Sequence, residues 1–387
     1  MTQQDHPLHA GRQACPAAWY SKQALEQPFH YHPQLAVWVA ASAAAVDEVL
    51  HSPLCGVRPA GEPVPPALLG TSLAPFFARL LRQNDGTPHL AAKRPLQQAL
   101  AAVSQPQLRA ALATALAGCQ PLLRQGDAAA LDTLCLQFPL RVMAGLLGWP
   151  QLGEAAGVQQ LGCVLAGLAA TATAAQIGAA EQALSALLAI TAQPPASPTP
   201  LWQALSLAWP DADQRAANLL ALLLQTHDAT AALLANTLHR LACSPALRRR
   251  LRAEPTLLAA AIAESMRLEA PVQHTWRVVQ RDGWLGGQAV QAGQRVLVLL
   301  AAANLDASWH AQPEVFQLQR VRYEHGFGAG VHRCPGSQLA LAIAQAVLRR
   351  CLARPLPWQA MAVARQFHPV ANARSRQFAD ITTGAAR

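Results

Sequence analysis

The run FGAGVHRCPG, residues 327–336, places one cysteine, Cys334, in a glycine-rich loop directly before an apolar helix. Gly328, Gly330 and Gly336 let the backbone turn sharply and pass close to something flat. Leu339, Ile343 and Val347 follow at helical spacing. The positive end of that helix is expected to face Cys334 and lower its thiol pKa. A thiolate ringed by backbone N–H groups suits a soft metal ligand. The competing readings are a small buried cysteine and a phosphate loop. The phosphate loop is excluded, because its lysine and the following Ser or Thr are absent.

Elements on either side must position that cysteine. Ala36–Ala40 reads as a strand, and AAAVDEVLH as a helix stopped by Pro53. Residues 56–75 are rich in Pro and Gly and read as a long loop, the kind of segment where binding often resides. From His89 to Gly148 the chain reads as helical, with breaks at Pro106, Gly126 and Pro150. Residues 151–193 are Ala-rich and helical. Gln193–Pro200 is a Pro/Ser connector, not a domain boundary, because the apolar helical pattern resumes at once. Asp211 can cap a helix running to about Leu241, roughly 45 Å long and able to cross the whole molecule. Another helix covers Pro255–Leu268. Strand-like segments follow at Thr275–Val279, Ala289–Val290 and Arg295–Leu299. No internal repeat is visible.

Composition narrows the class. The chain has 387 residues, 52% apolar and 5% aromatic, a balance that suits a mostly helical protein with ample core. Eight cysteines show no CxxC spacing, so a reduced, cytoplasmic setting is expected rather than a disulfide framework. The start lacks the basic-then-apolar pattern of a secretory signal. No membrane span is expected; the nearest stretch, Asn218–Leu238, is broken by Gln225, Thr226, His227 and Asp228. The net charge of +9 could serve nucleic acid or an acidic protein. Basic residues interleaved with aromatics are missing, which argues against nucleic acid. The densest basic run, ALRRRLRAEP, reads as a solvated helix face.

Several motifs now converge. FGAGVHRCPG resembles the haem-binding loop of the cytochrome P-450 family, with Phe327, Gly328, Gly330, His332, Cys334 and Gly336 in the pattern's slots. ESMR supplies Glu264 and Arg267, which resemble the family's Glu-x-x-Arg; the i, i+3 spacing puts both on one helix face. PEVFQLQR resembles the connecting meander, making Arg320 the third member of that ionic cluster. APVQHTWRVV is similar to the family's sheet segment, in which Arg277 would bind a haem propionate. NDGTPHLAAKRPL resembles its His-x-x-x-Arg helix start, with His89 kept and Lys93 in the arginine slot. The resemblance implies haem b ligated by Cys334, with His89, Lys93, Arg277 and His332 serving two carboxylates. It implies one mainly α domain over 1–387 with a small β-rich lobe and an N-terminal extension of about 35 residues. The haem would lie between a long crossing helix and the cysteine loop.

The same resemblance implies an oxidoreductase that takes O2 and two electrons to a small or medium-sized organic substrate, a monooxygenase of natural-product tailoring. No flavin or ferredoxin segment is present, so a separate ferredoxin and ferredoxin reductase are implied. Arg333, Arg349 and Arg350 lie where an acidic ferredoxin would dock. The substrate, free or tethered to an acidic carrier protein, would meet residues 60–80, 160–190, 224–230 and Gln273–Trp276. One departure stands out. The crossing helix reads QTHDAT: Asp228 fills the family's acid slot, but Ala229 replaces the threonine that helps proton delivery. Thr226, Ala229 and Thr230 fall on one face, so Thr226 could restore a hydroxyl. Oxidative coupling, ring closure and peroxide-driven turnover stay open, as does a haem-thiolate protein that binds or senses a ligand without turnover.

Overall fold

The computed structural model describes residues 6–13, 15–320, 325–368 and 372–379. Among them are nine short strands: β1 (Phe29–His32), β2 (Val37–Ala40), β3 (Cys55–Gly56), β4 (Thr275–Val279), β5 (Gly283–Leu285), β6 (Gln288–Val290), β7 (Arg295–Val298), β8 (Gln366–Phe367) and β9 (Arg376–Gln377). Five form a sheet in the order β1-β2-β7-β4-β3, in which only β2 and β7 run parallel. Alternate residues of β2 and β7 enter different apolar clusters. Ala40, Val296 and Val298 pack with Val46 and Val49, whereas Val37, Val39 and Leu297 pack with Tyr20 and Leu305. Both faces are therefore covered, which is why these strands read as continuous apolar runs.

Helices make the rest. The crossing helix, Ala212–Cys243, runs two residues beyond the expected end at Leu241. Asp211 caps it, its carboxylate accepting the Gln214 N–H at 2.6 Å. It packs against the helices Ala128–Leu147, Leu258–Leu268 and Ser337–Leu352. The Pro255–Leu268 segment begins as a 3-10 turn, Pro255–Leu257, before the α-helix. The basic run forms the helix Pro245–Ala253, with Arg249, Arg250 and Arg252 exposed.

Three expectations need adjustment. The first 35 residues are woven into the fold: the helix Ala17–Glu26 buries Tyr20 and Ala24, and β1 pairs with β2. The Pro/Gly-rich loop is shorter than 56–75, because a helix begins at Leu73 and a 3-10 turn occupies Pro66–Leu68. One helix, Ala128–Leu147, is in fact long and apolar enough to cross a membrane; 78% of that stretch is buried inside the protein. Its apolar residues face the core, while Ala129, Thr133, Gln137 and Arg141 lie on the less buried side.

Candidate functional site

The cysteine loop is held by backbone. The Gly328 N–H donates to the His325 carbonyl at 2.8 Å, and the Cys334 N–H to the Phe327 carbonyl at 2.9 Å. Gly328 and Gly330 sit at φ +67° and +63°, which side-chain-bearing residues rarely adopt. A Cβ on Gly330 would also collide with the Leu50 carbonyl oxygen, whereas a Cβ on Gly328 or Gly336 would meet open space. The helix Ser337–Leu352 leaves directly from Gly336.

Cys334 lies deep within the protein, yet its side chain is accessible. The expected lowering of its thiol pKa is not what the surroundings produce. Burial pushes the thiol up, and the Gly336 N–H and the charges of Lys93 and Arg333 only partly offset it.

The four other sequence-derived cofactor contacts converge here. Lys93 is buried and donates to the Val331 carbonyl. Its pKa falls to about 8, because burial outweighs the attraction of Cys334. His89 shares the same carbonyl, at 3.2 Å, and reaches the Leu81 carbonyl at 3.0 Å through its other nitrogen. Its ring lies 4.1 Å from that of His332. Arg277 is buried on β4, donating to the Trp276 carbonyl at 2.8 Å. Phe327 is half-buried against the helical core.

Asp85 is a site residue that sequence reasoning missed. It precedes the helix Gly86–Ala101 but does not cap it. One carboxylate oxygen accepts the Val57 N–H at 2.8 Å and the other lies 2.9 Å from His332 Nε2. An Asp four residues before His89, at a helix start, was the available signal.

Glu264, Arg267 and Arg320 form the expected cluster. Arg267 grips Glu264 through two bonds of 2.8 Å, and Arg320 Nε lies 3.1 Å from Glu264 Oε1. Glu264 and Arg267 are 4% and 3% exposed, so neither is a surface contact. Burial would raise the Glu264 pKa, but the hydrogen bond and charge of Arg267 hold it below the usual carboxylate range. Arg267 also donates to the Asn304 carbonyl at 2.8 Å, and Asn304 Oδ1 accepts the His325 N–H at 2.7 Å. The cluster is thereby linked to the start of the cysteine loop. Asn304 carried no sequence signal.

The crossing helix is buried from Ala216 to His239 except at Gln225, Asp228 and Ala229. These three, at i, i+3 and i+4, form the face that opens. The expected face of Thr226, Ala229 and Thr230 is only partly right, since both threonines are buried. The Thr226 hydroxyl donates to the Leu222 carbonyl at 2.7 Å, the usual resource of a threonine inside a helix. Asp228 Oδ1 lies 2.6 Å from His227 Nδ1. His368 is drawn into the same electrostatic neighbourhood, its pKa lowered by burial against the pull of Asp132 and Asp228.

Among the described residues no group of three or more His, Cys, Asp or Glu could hold a metal ion. A metal at Cys334 would need its remaining ligands from a cofactor. The cytochrome P450 family model matches residues 210–354, which contain the crossing helix, the Glu264 cluster and the cysteine loop. Residues 210–354 are thus similar to the cytochrome P450 family. Haem ligated by a cysteine thiolate is that family's cofactor. The accessible thiol, the open space at Gly328 and Gly336 and the buried cationic side chains fit such a group. The biotin biosynthesis cytochrome P450 of Bacillus subtilis is 35% identical over 143 residues, 37% of this chain and 36% of that protein. The C-19 steroid 1alpha-hydroxylase of Sorangium cellulosum is 38% identical over 137 residues, 35% of each. The chain thus matches about a third of the length of these relatives. Solved structures extend the likeness of fold. CalO2 superposes with a TM-score of 0.80 at 22% identity, covering 96% of each chain. P450BioI, in complex with hexadec-9Z-enoic acid ligated acyl carrier protein, gives 0.76 at 20% identity, covering 94% of this chain and 96% of that one.

Proposed function

We propose that the protein is a haem-thiolate monooxygenase that oxidises a small or medium-sized organic substrate in natural-product tailoring. The supporting observation is the setting of Cys334: deep, accessible, pinned through its N–H to Phe327, and flanked by Lys93. In this reading Cys334 ligates the iron, and His89, Lys93, Arg277 and His332 hold the propionates. Phe327, Gly328 and Gly336 would help hold the haem. Bound there, haem supplies thiolate-assisted O–O bond cleavage.

The chain's own residues do the rest. Glu264, Arg267 and Arg320 hold the frame behind the cysteine loop. Gln225, Asp228 and Ala229 present the crossing helix to the substrate. Asp228 stores and passes the proton at its carboxylate, with His227 holding one oxygen; Thr226 and Thr230 stand behind it. The exposed Arg333, Arg349 and Arg350 suit an acidic ferredoxin, itself fed by a ferredoxin reductase. Eight unpaired cysteines suit a reduced cytoplasm.

A second reading is favoured by one observation: Ala229 has no hydroxyl and that of Thr226 is engaged. A peroxide-driven reaction brings its own oxygen and protons. Turnover of a substrate panel with ferredoxin, reductase and O2, set beside turnover with peroxide alone, separates the two. No turnover in either arm, with intact ligand binding, would leave a ligand-binding or sensing protein.

A further inference from the structure

His227 and Asp228 are neighbours on the crossing helix, and their side chains bond to each other. His227 Nδ1 lies 2.6 Å from Asp228 Oδ1. A carboxylate accepts and cannot donate, so the hydrogen between them sits on Nδ1. The two side chains are 10% and 27% exposed, on a stretch of helix that is mostly buried.

The other ring nitrogen is free. His227 Nε2 has no hydrogen-bond partner among the described residues and is not sealed from solvent. The helix Ala155–Gly167 packs here against the crossing helix. Its Gly162 stands over the nitrogen. A Cβ on Gly162 would come 3.8 Å from Nε2 and would touch nothing else beyond its own helix. A long side chain at 162 would therefore close the gap that the glycine leaves. One imidazole thus joins two environments, water at Nε2 and a carboxylate at Nδ1.

Histidine is the side chain that takes up and releases protons near neutral pH. The neighbouring hydroxyls do not compete: Ala229 has none, and that of Thr226 donates to the Leu222 carbonyl. The other groups whose charge bears on the pair are Arg82, in the 3-10 turn Leu81–Gln83, and His368, just past β8. The helix Ala155–Gly167 adds only the thiol of Cys163.

We propose that His227 is a proton-relay residue that reloads Asp228 from solvent through the gap at Gly162. The inference rests on the haem-thiolate reading, in which Asp228 passes protons, and adds where those protons come from. Water delivers a proton to Nε2, and Nδ1 releases its own to Asp228 Oδ1. The ring is left neutral with its hydrogen on Nε2. Turning the ring over brings that hydrogen back to the carboxylate. His227 acts through Asp228 and not on the substrate.

The test runs the haem-loaded protein with a ferredoxin, its reductase and NADPH, without added substrate. Each O2 reduced to peroxide then takes up two electrons and two protons, so O2 consumption per haem reports proton entry. In the unaltered protein the rate should fall as pH rises between about pH 5 and 8, where imidazoles titrate. His227→Gln keeps an N–H donor for Asp228 but carries no proton. It should slow the rate by about tenfold to a hundredfold, no more than the worth of the acid–base group it feeds, and should flatten the pH profile. Gly162→Leu, which covers Nε2 and leaves the pair intact, should also slow it. In the reduced, CO-bound protein, 15N spectra of labelled histidine should show neutral His227 protonated at Nδ1. Three results would overturn the proposal: an unchanged rate and pH profile in His227→Gln, a slowing in His227→Ala that His227→Gln does not share, or a neutral His227 protonated at Nε2. The second would leave His227 as a prop for Asp228. If His227→Gln fails to hold haem, Gly162→Leu decides alone, and an unchanged rate there removes the relay. The haem-thiolate reading fails separately, through the reduced, CO-bound absorption spectrum of the unaltered protein.

Discussion

Arg267 reaches Asn304: its Nη1 donates to the Asn304 carbonyl at 2.8 Å while its other nitrogens hold Glu264. Asn304 in turn takes the His325 N–H at 2.7 Å. A buried ion pair thereby sets where the cysteine loop begins. This makes Asn304 a positioning residue, although no motif marks it.

Glu264→Gln should leave Arg267 and Arg320 facing an uncharged partner in a dry site. Breaking a buried pair costs about 3–5 kcal/mol, so the variant should express poorly and retain little haem. Asn304→Leu should be milder, at about 1–3 kcal/mol for the orphaned His325 N–H. Denaturant unfolding and haem-to-protein ratio check both. Normal haem content in Glu264→Gln would reduce the cluster to packing.

Cys334→Ala should abolish the thiolate signature of the reduced, CO-bound absorption spectrum while leaving the fold. Cys119, Cys135 and Cys351 are fully buried, so their change to Ser should lower stability by burying a hydroxyl but keep the signature. Retention of the signature in Cys334→Ala would remove this residue as ligand.

Asp228 should dominate proton handling, because Ala229 offers no hydroxyl and Thr226 spends its own on Leu222. Asp228→Asn should slow reductase-driven turnover by about 10²-fold or more, the usual worth of a positioned acid–base group. Thr226→Val should do little. Ala229→Thr should not raise product formed per electron pair consumed. Full activity in Asp228→Asn would send the proton through the substrate instead.

Acid should destabilise the fold through two histidines. His239 and His274 are each lowered from the ordinary value to about 4, in both cases chiefly by burial, with Arg376 adding at His239. Between pH 6.5 and 4 the unfolded chain holds protons that the folded chain refuses. Stability is then complete above that window and declines as pH falls through it, by roughly 2 kcal/mol per histidine at pH 5. Denaturant titrations at pH 7.5 and pH 5 should show the loss, and His274→Gln should remove part of it. An unchanged pH dependence in that variant would contradict this account.

Much of the site was readable because its chemistry is local. FGAGVHRCPG permits its own turn geometry: glycine allows the positive φ angles found at Gly328 and Gly330. Glu264 and Arg267 lie three residues apart on one helix, so their pairing follows from helical periodicity. The crossing helix was visible from the Asp211 cap and the absence of Pro and Gly from the stretch that follows. The membrane-length helix Ala128–Leu147 was not singled out, since its meaning depends on what surrounds it.

What the chain order alone left open are the relations between distant segments. Nothing local tells that Asp85 turns from its own helix to His332, 247 residues away. Nor does it tell that Asn304 joins Arg267 to His325. The thiol of Cys334 shows the limit most plainly. The adjacent helix start argued for a lowered pKa, but burial by the rest of the molecule outweighs it. Sequence determines which groups are present and which neighbours along a helix or turn must meet. Desolvation and long-range contact arise from everything packed around a group, so only the tertiary structure decides them.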